Sequence, residues 1–208
     1  NDAAEEAVRR LRKLDPAHST VIDFYREICR RRNEGPKFLA VLQQAHRVTL
    51  DEGRRLQLAS EMALLAENEM ASPEKAIDSW KAILRAVPTH LEARSALKRL
   101  YTKTEKWNAL LELCKEEIES ISLDEPDGRG ARVGRLLEVV AIYRDHLHLD
   151  AMVINIYNAI LSLVPHHVEA LDALAVEYQQ LGRWHDLVAI LDRKVEAPET
   201  TLERRIVL

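Results

Sequence analysis

Two stretches of the chain read alike. Ser79-Trp80-Lys81-Ala82-Ile83-Leu84-Arg85-Ala86-Val87-Pro88 lies over Ile156-Tyr157-Asn158-Ala159-Ile160-Leu161-Ser162-Leu163-Val164-Pro165 when the sequence is shifted by 77 positions. The match runs on without a gap. His90 falls on His167, Glu92 on Glu169, Ala93 on Ala170, Leu97 on Leu174, Tyr101 on Tyr178, Trp107 on Trp184 and Leu110 on Leu187. A fixed period of this kind marks a repeat architecture. A weaker third copy lies earlier, where Pro16-Ala17-His18 repeats the Pro-x-His punctuation and Phe38 takes the Trp place.

Inside each copy the apolar residues recur at helical spacing. Trp80, Ile83 and Leu84 stand at i, i+3 and i+4, as do Leu97, Leu100 and Tyr101, and Leu187, Ile190 and Leu191. The 208 residues are 47% apolar with only 6 Gly and 7 Pro, enough for a sizeable core and too few turn residues for a hairpin-rich fold. Helices are predicted over about 3–14, 19–33, 36–49, 51–70, 73–86, 90–104, 106–121, 131–147, 150–163, 167–181, 184–196 and 199–208. Ser72-Pro73 reads as an N-cap followed by a first-turn Pro, and Asp150 is expected to cap the matching helix. Pro88 and Pro165 follow helix ends, and Gly182 supplies a left-handed stop. Most connections are short, which favours antiparallel neighbours. The exception is Ser122 to Gly130, a polar, Gly/Pro-rich stretch expected to be an exposed, mobile loop.

Four helices in 77 residues is about 38 per pair, close to the tetratricopeptide period of about 34. The residues resemble that family too. Ala76, Trp80, Ile83 and Pro88 fit its second helix, and Val153, Tyr157, Ile160 and Pro165 fit it again. Leu97, Tyr101 and Leu110 fit the other unit, as do Leu174, Ala175, Tyr178, Gly182 and Leu187. The sequence departs from the pattern at Lys98, where the family has a small residue, and at Glu105, where it has a turn Gly. No closing Pro follows Ile121, and Pro198 comes one place early. The resemblance implies an all-α, right-handed α-solenoid of antiparallel helix hairpins, about 12 helices forming one array over 1–208, with copies at about 1–50, 51–121 and 131–197. It is most like the long, divergent arrays of large bacterial repeat proteins, with the half-a-tetratricopeptide arrays of RNA-processing factors as an alternative. Neither end has the polar character of a solenoid cap, so the chain reads as a piece of a longer array.

Little in the sequence suggests catalysis. It has no Gly-rich phosphate loop, no Gly-x-Ser-x-Gly, no His-Glu-x-x-His and no Cys-x-x-Cys. Cys29 and Cys114 have no metal or redox spacing and are expected to be buried, reduced thiols of a cytoplasmic protein. His146 and His148 would point apart on a helix, and His166-His167 meet at a helix junction, so no metal and no cofactor are expected. His90 and His167 fit a junction that suits polar residues. Trp107 and Trp184 are expected to wedge between helix pairs. Arg30-Arg31-Arg32 closes a predicted helix, where cations suit the dipole. The net charge of −4 argues against a nucleic-acid partner, and no apolar stretch is long enough to enter a membrane as a helix.

The resemblance also implies a concave groove lined by the first helix of each pair, which in the family holds a peptide or protein segment. The matching places are Glu92, Ser95, Arg99 and Thr102, then Glu169, Asp172, Val176 and Gln179. Glu61 with Asn68, and Glu138 with Asp145, take corresponding places in two further helices. The set is mildly acidic, so a basic segment is the expected partner. Glu92 and Glu169 also fall in the first turn of their predicted helices, where a carboxylate is stabilised regardless of any partner. The expectation is a non-catalytic interaction scaffold or adaptor. Alternatives are an RNA-processing array or the regulatory segment of a larger enzyme.

Overall fold

The computed structural model describes residues 2–68 and 72–196. Among these residues the chain is all-helical. Eleven α-helices follow one another: α1 (Asp2–Leu14), α2 (Ser19–Arg32), α3 (Gly35–Val48), α4 (Glu52–Asn68), α5 (Pro73–Ala86), α6 (Leu91–Lys103), α7 (Trp107–Ser120), α8 (Gly128–Ile142), α9 (Asp150–Leu163), α10 (Val168–Gln180) and α11 (Trp184–Glu196). A π-helical turn, Tyr143–Leu147, extends α8. The expected helices are present at nearly the expected bounds. The expected helix over 199–208, and Pro198 before it, lie outside the described residues.

The helices form two compact units, α1–α6 and α7–α11, dividing between Glu105 and Lys106. In each unit a helix packs chiefly on the helices next to it in sequence. That is the order of stacked hairpins, and it follows from short connections that fold each helix back on the one before. In the first unit the largest cluster joins Val21, Ile22, Tyr25 and Cys29 of α2 to Phe38, Val41, Leu42 and Ala45 of α3, and to Leu58 and Leu65 of α4. Trp80 of α5 and Leu97 and Leu100 of α6 are also fully buried there. In the second unit Val139, Val153, Ile160, Leu171 and Leu174 are buried. Cys29 and Cys114 are buried and form no disulfide among the described residues.

The punctuation shows why helices start and stop where they do. His18, His90 and His167 are N-caps of α2, α6 and α10. Each Nδ1 accepts a backbone N–H of the first turn, from Thr20 at 3.2 Å, Ala93 at 3.1 Å and Ala170 at 3.3 Å. The repeated Pro-x-His is therefore a helix-capping device, satisfying one of the donors that a helix start leaves unpaired. Val87 and Val164 leave the helical region just before Pro88 and Pro165. Gly182 has φ +66°. Glu105, at the repeat place of Gly182, takes φ 54° with a side chain attached, a strained position for anything but Gly.

Four expectations are corrected. Ser72 is the N-cap of α5, but its side chain makes no capping bond. Asp150 is the first residue of α9 rather than its cap, which is Leu149. The stretch 122–127 is exposed, as expected, but Gly128 and Gly130 belong to α8, and Gly128 is buried against the backbone of Ser122 and Leu123. The helix expected over 131–147 widens into the π turn at Tyr143, which keeps that ring buried and is closed by His148 at φ 51°.

Candidate functional site

In the first unit the groove positions lie on α4 and α6, with α2 beside α4. Glu92, Ser95, Arg99 and Thr102 are all exposed along α6, as their spacing requires. Glu61 and Glu92 meet around an open recess of about 310 Å³ lined also by Leu56, Ser60, Leu64 and His90. Two of the expected residues are thus brought together. Their surroundings were not foreseen. Glu61 accepts from Arg26 of α2 at 2.7 and 3.2 Å, and Arg26 also holds Asp23. The Arg26 guanidinium is held above its ordinary value, chiefly by the hydrogen bond to Glu61. Arg99 donates to both carboxylate oxygens of Glu67 of α4, at 2.8–3.0 Å. These pairs tie α2 to α4 and α4 to α6. The Thr102 hydroxyl donates to the Lys98 carbonyl of its own helix at 2.9 Å. Glu92 has no ion pair among the described residues. The recess lining itself holds two carboxylates, Glu61 and Glu92, and no lysine or arginine. Asn68 is exposed at the end of α4.

The second unit carries its groove positions separately. Glu169, Val176 and Gln179 are exposed on α10, Val176 at 52%. Asp172 pairs with Lys194 of α11 at 2.8 Å, Glu138 pairs with Arg135, and Asp145 pairs with Arg144 at 2.7 Å. Arg144 holds the Asp145 carboxyl below its ordinary value, first through their hydrogen bond. Burial raises the Tyr157 hydroxyl above its ordinary value, and the Glu169 charge adds to this. Glu92 and Glu169 do sit in the first turns of α6 and α10, where the helix dipole stabilises them.

One of the two tryptophans departs from the expected wedge. Trp107 stacks flat on His146 of the π turn, with ring centroids 3.7 Å apart and planes at 7°. Trp184, its repeat mate, is 62% exposed. The Arg30-Arg31-Arg32 run behaves as a solvated helix end, paired with Glu27 and Glu5. Among the described residues no group of three or more His, Cys, Asp or Glu could hold a metal ion, and no helix is long and apolar enough to cross a membrane.

A second concavity in the first unit was not anticipated. It measures about 440 Å³ and lies where the ends of α3 and α5 meet the start of α4, lined by His46, Arg55, Leu56, Ala59, Ala82 and Val87 among others. Its depth comes from small residues. Ala59, Ala82 and Ala86 on two helices leave room that larger side chains would fill. Burial and the nearby Arg55 charge lower the His46 imidazole from its ordinary value.

No protein-family model matches the chain, and no curated protein matches it. Several solved structures are similar in chain arrangement. A tetratricopeptide repeat protein from Parabacteroides merdae is 18% identical, covering 95% of this chain and 73% of that one, with a TM-score of 0.43. BtubC from P. vanneervenii is 15% identical over 92% of this chain and 85% of that one, at 0.42. MamA from Desulfovibrio magneticus is 16% identical over 88% and 95%, at 0.41. At this level the similarities say nothing of what the chain binds.

Proposed function

We propose that this chain is a non-catalytic scaffold or adaptor that holds a basic segment of a partner protein, and that it works in the cytoplasm. The observation that carries the reading is the recess between α4 and α6. There the Glu61 and Glu92 carboxylates stand beside Leu56 and Leu64, in a lining with no lysine or arginine. A lysine or arginine side chain suits such a place: its methylene stem covers the leucines while its charge meets the carboxylates. The Arg26–Glu61 and Arg99–Glu67 pairs fix the flanking helices, so the recess is largely formed before binding, which lowers the ordering cost of association. Glu92 has no ion pair among the described residues to give up, which makes it the residue most available to a cation.

The test is fluorescence anisotropy of the full chain with a labelled lysine-rich peptide containing leucine, and with a glutamate-rich control. The lysine peptide is expected to bind, to weaken as salt rises, and to lose affinity about tenfold in Glu92→Lys. Equal affinity for both peptides, or an unchanged affinity in Glu92→Lys, refutes the acidic-groove reading.

A further inference from the structure

The α4–α6 recess contains a residue of the type that changes charge near neutral pH. His90 lines it together with Leu56, Ser60, Glu61, Leu64 and Glu92. The same half-buried ring is the N-cap of α6, where its Nδ1 accepts the Ala93 N–H at 3.1 Å. An accepting Nδ1 carries no proton, so the hydrogen of the neutral ring sits on Nε2. The charged groups that share the lining are Glu61 of α4 and Glu92 of α6; α5, which also packs on α6, contributes none. Arg26 of α2 is engaged on Glu61, and Arg94 of α6 donates to the Pro88 carbonyl at 2.8 and 3.0 Å. His18 and His167 make the same cap bond at helix starts outside this recess.

A proton on His90 acts twice. Nδ1 gains a hydrogen and can no longer receive the Ala93 N–H, so the first turn of α6, which carries Glu92, loses its cap. The imidazolium also brings a cation into a lining that otherwise holds only carboxylates, and those carboxylates can pair with it as they would with a lysine.

We infer that His90 is a proton-controlled competitor for the α4–α6 recess: the neutral ring leaves Glu61 and Glu92 to a basic segment of the partner, and the imidazolium takes that segment's place. The partner is held near neutral pH and released on acidification. The inference rests on the acidic-groove reading of this recess. By linkage the competition is mutual: a bound lysine opposes the proton on His90 by the same factor by which the proton weakens the lysine. Carboxylates do not account for such an effect, since glutamates ordinarily titrate about two pH units below histidines.

The test is anisotropy of the full chain with the lysine-rich peptide, acetylated at its N-terminus and carrying a pH-insensitive label, at about pH 7.5 and about pH 5.5 and one ionic strength. His90→Asn keeps a cap, because the Asn oxygen accepts the Ala93 N–H, but takes up no proton. His167→Asn makes the same change at a cap outside the recess. Circular dichroism establishes that each chain is folded at both pH values. The parent is expected to bind about tenfold more weakly at the lower pH, and His167→Asn to show the same drop. His90→Asn is expected to show none, whatever its affinity at the higher pH. An affinity that does not change with pH, or a drop as large in His90→Asn as in the parent, overturns the inference and leaves the acidic-groove reading standing. A drop abolished equally in His167→Asn makes it a general effect of cap loss and overturns the inference as well. No binding at either pH overturns the groove reading and the inference with it.

Discussion

The three glycines of α8 allow one substitution to be tested with opposite expected signs. Gly128 opens the helix, with Gly130 and Gly134 further along. Helix propensity alone favours Ala over Gly at an interior position by about 1 kcal/mol. At Gly130 and Gly134 nothing lies within 4 Å of an added Cβ, so Ala there is expected to stabilise by about 0.5–1 kcal/mol. At Gly128 an added Cβ runs into the Ser122 carbonyl oxygen and comes within 3.1 Å of its carbon and 3.3 Å of the Leu123 Cα. All three are backbone atoms, so no side chain can swing aside. The 122–127 turn has to move, at the 1–3 kcal/mol typical of an overpacked site or more. The net expectation for Gly128→Ala is a loss of up to about 2 kcal/mol, the overpacking cost less the propensity gain. Urea unfolding of the full chain, followed by helical circular dichroism, reads all three variants on one scale. If Gly128→Ala is as stable as Gly134→Ala, the close approach of α8 to Ser122 is wrong.

Other consequences are as direct. His90→Ala and His167→Ala each remove a cap acceptor and are expected to cost about 1 kcal/mol, with His90→Asn recovering most of it, because an Asn oxygen can accept the same N–H; urea midpoints check this. Glu105→Gly relieves a left-handed residue and is expected to raise thermal stability by up to about 1 kcal/mol, whereas Gly182→Ala lowers it by a similar amount. The Glu177 carboxyl is raised from its ordinary value, first by burial and then by Asp150. A folded-state value above the unfolded one gives stability that is present below the unfolded value and lost as pH rises through the folded value. Glu177→Gln is therefore expected to be more stable than the parent at pH 7, with the gap closing as pH falls into the ordinary glutamate range, as pH-dependent melts would read.

Much of the fold was legible because a repeat writes the same physics more than once. Trp80 and Tyr157 share a place, and both are buried. Apolar spacing located the helices, and Pro-x-His located three of their starts. The histidine's role as a cap acceptor was not legible, because it depends on Nδ1 geometry that composition does not carry. Nor was the π turn, since one residue of widening leaves the apolar pattern of α8 almost intact. At the candidate site, the resemblance supplied Glu92, Ser95, Arg99 and Thr102, and all four are exposed on α6. The pairing of Glu61 with Arg26 and of Arg99 with Glu67 joins residues more than 30 positions apart and had no sequence signal. The α3–α5 cavity stayed hidden because an absence of side-chain volume at Ala59, Ala82 and Ala86 becomes a pocket only after the helices have packed.

The scaffold reading meets its most direct test in an affinity pull-down from source lysate, with the chain and its Glu92→Lys variant as baits. Each is run with and without nuclease and read by mass spectrometry. The account predicts a protein carrying a basic segment that survives nuclease and is lost from the Glu92→Lys bait. A nuclease-sensitive set of partners, or a partner retained equally by both baits, would contradict it.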